Sequence, residues 1–215
     1  MIFEIKEQKD TILKEMYTKA MKELNKFYEL NWKYNLPNII VLRTRKEIDK
    51  FWGGKTEDWV VAFAEKQTIF ILSRENYEKE SSHKYSYEEY FSTLKHELGH
   101  LFFGYISNRK ENPFWLNEGT QLFIAGQLKF KKPINKFSKF IAYYNKWDKG
   151  VYQESGFVVE LLVKKFGKVK LINLIKSLAN INSEKEFNKS FKKIYGFNLS
   201  YKEINKRYKN ERFNN

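Results

Sequence analysis

Cysteine is absent from the 215 residues of this chain. Disulfides are therefore excluded, and so is any metal site built on thiolates, leaving histidine and carboxylate as ligands for a tightly held ion. Long apolar runs are missing as well. Stretches such as Trp59–Ala64 fall far short of the roughly 20 residues that a membrane-spanning helix needs. The opening Met-Ile-Phe-Glu-Ile-Lys-Glu has no apolar run of signal-peptide type, so the chain as given is expected to be cytoplasmic, without a transmembrane segment. Histidine is scarce, with three in all, and two of them, His96 and His100, stand four residues apart.

The net charge is +14, and its distribution is more informative than its size. Residues 1–120 carry 19 acidic and 19 basic side chains, whereas residues 121–215 carry 21 basic against 7 acidic. Such an excess is one footprint of nucleic-acid or anionic-surface binding. Only two of those 21 are arginine, which argues against specific phosphate or base readout and favours a solvated, lysine-rich helical surface.

The stretch from Ser86 to Gly126 organises the rest. Its first half reads as an amphipathic helix carrying Tyr90, Phe91, Leu94, Leu98, Leu101, Phe102 and Tyr105 at helical spacing. Ser86 with Glu89 three residues later predicts a capping box at its start. On a helix, residues four apart lie on one face, so His96 and His100 can close on a single metal ion. Glu97 is rotated by about 100° from His96 and is free to reach a water held on that ion. This His-Glu-x-x-His spacing is a zinc metallopeptidase signature in which the glutamate is the general base. Glu118, near the start of the next helical pattern, is the candidate third ligand.

Trp115-Leu116-Asn117-Glu118-Gly119 downstream of His96-Glu97-Leu98-Gly99-His100 resembles the gluzincin clan, the thermolysin-like peptidases. Within it, the chain is similar to compact peptidase MA-like domains related to the alanyl-aminopeptidase family. The resemblance spans roughly residue 39 to the C-terminus, with specific motifs at 96–119 and, more weakly, 152–167. It implies one Zn2+ per chain held by His96, His100 and Glu118, with Glu97 as catalytic base and a peptide or protein as substrate. It also implies that Tyr152, opening the run Val151-Tyr152-Gln153-Glu154-Ser155-Gly156-Phe157, stabilises the oxyanion; Tyr143 and Tyr144 are nearby alternatives. A substrate-binding edge strand is implied somewhere in Val60–Glu65. The related aminopeptidases carry Gly-x-Met-Glu-Asn before the metal helix, and its glutamate grips a free amine. That string is missing here, with Ala62-Phe63-Ala64-Glu65 the nearest stretch. Cleavage of internal bonds is therefore favoured, with an aminopeptidase using Glu65 as the other possibility. A basic binding module with a non-catalytic metal, and a hydrolase of a non-peptide bond, remain as alternative functions.

A 42% hydrophobic content suits one domain over 1–215, or two small lobes sharing a cleft. The pattern predicts a helix over 4–31, with Ile5 and Ile12 in its packing set, and a strand over 38–43. A short helix over 46–52 follows, ended by Gly53-Gly54. A hairpin is expected from strands 59–64 and 68–72, joined by Glu65-Lys66-Gln67. His83, in a polar loop, reads as a surface residue. After Pro113 a helix is expected over 115–128, with Gly119 allowing close backbone approach. A basic linker at 129–136 precedes helices at 137–147, 151–166, 169–179, 183–194 and 201–208. The expected fold is α+β and zincin-like: a mixed αβ lobe to about residue 106, a helical lobe over 107–215, and the active-site cleft between them.

Overall fold

The computed structural model describes residues 6, 7 and 9–212, and the architecture is α+β. In chain order, α1 (Thr11–Tyr28) is followed by β1 (Asn38–Leu42), α2 (Arg45–Trp52), β2 (Ala62–Glu65) and β3 (Thr68–Leu72). Then come α3 (Tyr87–Ile106), α4 (Phe114–Ile124), α5 (Val151–Phe166), α6 (Lys168–Ser177), α7 (Glu184–Tyr195) and α8 (Tyr201–Arg212). Among the described residues no helix is long and apolar enough to cross a membrane.

The first helix starts later than its hydrophobic pattern suggests, because Asp10 caps it. The Asp10 carboxylate accepts from the Leu13 N–H at 2.9 Å, satisfying a donor that the helix itself leaves free. Ile12 is 40% exposed instead of packed, and Glu29 in the left-handed region (φ 57°) ends the helix short of 31. Ile5, with residues 4 and 8 of the expected helix, lies outside the described residues. Met16, Ala20, Leu24 and Tyr28 form the fully buried stripe of α1, which packs along α3.

Three strands form a sheet in the order β1-β3-β2, with β1 parallel and β2 antiparallel to β3. The expected first hairpin strand, 59–64, instead starts three residues later and runs over 62–65. Arg45 explains the shift: its guanidinium donates to the carbonyls of Glu57, Asp58, Val60 and Glu80. Backbone groups before residue 61 are thus taken by a side chain rather than by a neighbouring strand. The turn is also one residue shorter than expected, since Glu65 pairs with Thr68 and leaves Lys66-Gln67 between them, Lys66 at φ 54°.

The helical half departs from expectation at the end of α4, which stops at Ile124 and not 128, and again at 137–147. Residues 137–147 form a single 3-10 turn, Phe140–Tyr143, and otherwise irregular chain. The buried Glu154 carboxylate accepts from the backbone N–H groups of Ser138, Lys139 and Phe140 at 2.8–3.1 Å, so these amides face a side chain instead of helical carbonyls. Helix α5 matches its expected span and stops at Gly167 (φ 84°), where glycine tolerates the left-handed backbone. Its packing on α4 is tight: a Cβ on Gly119 would come within 2.4 Å of the Ser155 carbonyl oxygen. That close approach, expected from the sequence, sets how far the residues of α4 stand from those of α5.

Candidate metal centre

Helix α3 presents the histidine pair. Its N-terminus is half of the expected capping box: the Ser86 hydroxyl accepts from the Glu89 N–H at 3.1 Å. The Glu89 carboxylate, however, turns to His83 Nδ1 at 3.0 Å. His83 Nε2 meets the Trp59 carbonyl at 3.0 Å, so this histidine is a half-buried tie between the chain before β2 and α3, not a free surface residue. Tyr90, Leu94, Leu98 and Phe102 are fully buried on the core side of α3. Tyr105, expected among them, is 68% exposed and stacks on Trp32 at the rim of a cleft.

Helix α4 begins after Pro113 and brings Glu118 against the pair. His96 Nε2 and His100 Nε2 are 3.1 Å apart, and Glu118 Oε2 stands 3.3 Å from the first and 3.6 Å from the second. Two donor atoms at 2.0–2.1 Å from a tetrahedral ion are about 3.3–3.4 Å apart. The three separations bracket that value. The hydrogen bonds on the far sides of the rings assign the protons. His96 Nδ1 faces Gln127 Oε1 at 2.9 Å and His100 Nδ1 faces Asn117 Oδ1 at 3.0 Å, so each ring donates outward and turns a bare Nε2 inward. Glu118 Oε2 is buried and has no hydrogen-bond partner among the described residues. Three acceptors therefore converge without a proton between them, an arrangement a cation would satisfy. His96, His100 and Glu118 form a group of possible ligands lying within 4.8 Å of one another.

Burial alone would push the Glu118 carboxyl up, yet the facing imidazoles of His100 and His96, with the Trp147 indole N–H at 3.3 Å from Oε1, hold it below the usual carboxylate range. Glu97, one residue from His96, behaves in the opposite way. Burial pushes it up to about 7, the Glu118 charge adds to the rise, and His100 and the Ala64 backbone N–H oppose it. That N–H is available because of the sheet register. Val61 accepts from the Leu72 N–H, so 61, 63 and 65 bond inward to β3 while Ala62 and Ala64 face outward from the edge strand.

Tyr152, in the first turn of α5, lies against both carboxylates. Its phenol is pushed far up, by burial first and then by the charges of Glu118 and Glu97, so it keeps its proton and is available as a donor. Its hydroxyl lies beside Trp147 and Glu118, and its ring sits edge-on to Trp59 and Trp147. The two alternatives are elsewhere. Tyr143 pairs with Asp148, and Tyr144 packs against Phe187.

Glu97, His96, His100, Glu118 and Tyr152 all line one cavity of about 870 Å³, together with Val60, Ala62, Phe63 and Ala64 of the edge strand and its approach. Four of the chain's five tryptophans (Trp32, Trp52, Trp59 and Trp147) border it. Glu65 is exposed and does not.

Two residues of the site gave no sequence signal. Trp147 falls in a stretch that reads as helix. Gln127 reads as part of α4, expected to run to 128. In fact α4 ends at Ile124, and Gly126 (φ 73°) reverses the chain so that the Gln127 amide returns to His96. Asn117 could have been found, since it adjoins Glu118 and a ligating histidine needs a partner on its second nitrogen.

Compared with protein-family models, with curated proteins and with solved structures, the chain matches none. What the fold and site define is thus coarse: an α+β protein with a buried His-His-Glu group capable of holding a metal ion.

Proposed function

We propose that this chain is a zinc-dependent peptidase of the gluzincin type, with a zincin-like arrangement of edge strand, metal helix and third-ligand helix. The observation that carries the reading is the convergence of His96 Nε2, His100 Nε2 and Glu118 Oε2 at 3.1–3.6 Å, with Glu97 and Tyr152 beside them. Three protein ligands leave a fourth position for water or substrate, the pattern of catalytic rather than structural sites.

When bound, zinc supplies a Lewis acid that polarises the peptide carbonyl and lowers the pKa of a bound water towards about 7. The rest is done by the chain. Glu97 takes a proton from the attacking water and passes it to the departing amine, with the Ala64 N–H steadying its carboxylate. Tyr152, a neutral phenol, donates to the oxygen that gains charge as the carbonyl is attacked. The outward-facing N–H and carbonyl of Ala62 and the carbonyl of Ala64 offer an extended substrate a strand to pair with.

Cleavage within a chain is favoured over removal of an N-terminal residue. Glu65 is off the cavity wall, and Lys66, Arg109 and Lys110 against the single outer carboxylate Glu111 oppose a free amine.

The test is metal analysis together with hydrolysis of unfolded casein. The expected result is one zinc per chain and proteolysis that a chelator abolishes and zinc restores. Zinc-loaded protein that leaves casein and short peptides intact would count against the reading. In the same assay Tyr152→Phe is expected to lower turnover by about 10²-fold, the size of a lost oxyanion donor, with zinc content unchanged. Unchanged turnover would remove Tyr152 from the mechanism.

A further inference from the structure

A second set of buried polar groups runs from α1 to His100. Tyr28 and Gln121 are both fully buried, yet neither touches the cavity described above. The Tyr28 hydroxyl donates to Gln121 Oε1 at 3.2 Å, with the Gly99 carbonyl a longer second acceptor at 3.5 Å. Gln121 Nε2 donates to the Asn117 backbone carbonyl and to Asn117 Oδ1, each at 3.2 Å. Asn117 Oδ1 in turn meets His100 Nδ1 at 3.0 Å. Room for the glutamine has been kept on α3: a Cβ on Gly99 would fall 2.2 Å from Gln121 Oε1.

Each link permits only one direction. A backbone carbonyl can only accept, so the amide end of Gln121 near Asn117 must be its NH2. The opposite end is then an oxygen, and it needs a donor. Tyr28 supplies one, its phenol pushed up by burial so that it stays protonated. The second hydrogen of the Gln121 NH2 requires Asn117 to turn its own oxygen towards it. That same oxygen then requires the His100 proton on Nδ1.

We propose that Tyr28 and Gln121 are positioning residues that lock the amide of Asn117, and through it hold His100 in the tautomer whose bare Nε2 can ligate a metal ion. The inference rests on reading His100 as a ligand. It accounts for two buried polar side chains that would otherwise cost stability without return. Were Gln121 apolar, the Asn117 amide could turn over and present its NH2 to His100. Nδ1 would then accept, the proton would move to Nε2, and the ligating lone pair would be lost.

The test uses imidazole nitrogen NMR on the metal-free chain at alkaline pH, where the rings are neutral and only three histidines need assignment. Zinc affinity is measured alongside, by competition with a chelator. Wild type is expected to hold His100 as the Nδ1–H form. Gln121→Met is expected to give a mixture of tautomers and an affinity lower by about 10-fold or more, within the 10–100-fold range of outer-shell changes. Adding Asn117→Asp to Gln121→Met is expected to restore both readouts, because a carboxylate has no donor to misdirect. A purely packing role for Gln121 would not be rescued that way. An unchanged tautomer and affinity in Gln121→Met, or no recovery in the double variant, would overturn the proposal. Should Gln121→Met not fold, Tyr28→Phe is expected to shift the tautomer in the same direction by less, and no shift there would equally overturn it. If wild type binds no zinc, the peptidase reading fails while the NMR measurement still decides the relay.

Discussion

Replacing Glu97 by Gln is expected to lower kcat/KM by about 10³-fold or more, the upper part of the range for a lost general base, with zinc still bound at one per chain. The carboxamide keeps the shape of the side chain and can still accept the Ala64 N–H, but it has no basic site for the water's proton. The same change is expected to stabilise the metal-free protein at higher pH. Burial lifts Glu97 to about 7 from its ordinary 4.5, so the folded chain binds this proton more tightly than the unfolded one. Stability must then fall as pH rises from about 4.5 to about 7, because the native state holds more protons throughout that window. Above it, wild type carries an ionised, half-buried carboxylate at a cost of about 3 kcal/mol, an order-of-magnitude figure that Gln removes. Urea denaturation of chelator-treated wild type and Glu97→Gln at either end of the window checks this. A stability difference that does not change with pH would sink the electrostatic account, and proteolysis that persists undiminished would sink the mechanism.

The second large effect concerns Glu118. Glu118→Gln is expected to weaken zinc binding by about 10²–10³-fold, taking one ligand as about a quarter of the 10–16 kcal/mol typical of four-ligand structural sites. The substitution keeps the volume and leaves an oxygen for the Trp147 N–H, but it removes the negative charge that faces the two imidazoles. Competition with a chromogenic chelator measures the loss, and a retained circular dichroism spectrum separates it from unfolding. It should contrast with Tyr152→Phe, where turnover falls and metal stays. Zinc affinity in Glu118→Gln equal to wild type would mean that the carboxylate is not a ligand.

The two carboxylates illustrate how environment divides similar groups. Glu118 is buried and Glu97 half-buried, and they belong to the same few ångströms of space. Glu118 faces two imidazoles and an indole N–H and stays ionised; Glu97 faces Glu118 and a single imidazole and is lifted towards neutrality. One is thereby suited to hold a cation and the other to move a proton.

His96, Glu97 and His100 were legible because helical geometry is local: a spacing of four on an amphipathic pattern puts two rings on one face whatever the surrounding fold does. Helix α5, β3 and the close approach at Gly119 were legible for the same reason, each following from short-range pattern or the size of one residue. The site's other parts depend on contacts far apart in the chain. Residues 137–147 have a helical pattern, but Glu154 captures their amides, and only that irregular path brings Trp147 to Glu118. The start of β2 is moved by Arg45, and the end of α4 by Gly126, which returns Gln127 to His96. The amino-acid sequence by itself determined which side chains could ligate and which could take a proton, since chemistry and helical period belong to single residues and single turns. Only the tertiary structure decided which nitrogen of each imidazole faces inward, how far burial shifts each carboxylate and which tyrosine is within reach. Those are properties of what lies across the gap, and the chain closes that gap only by folding.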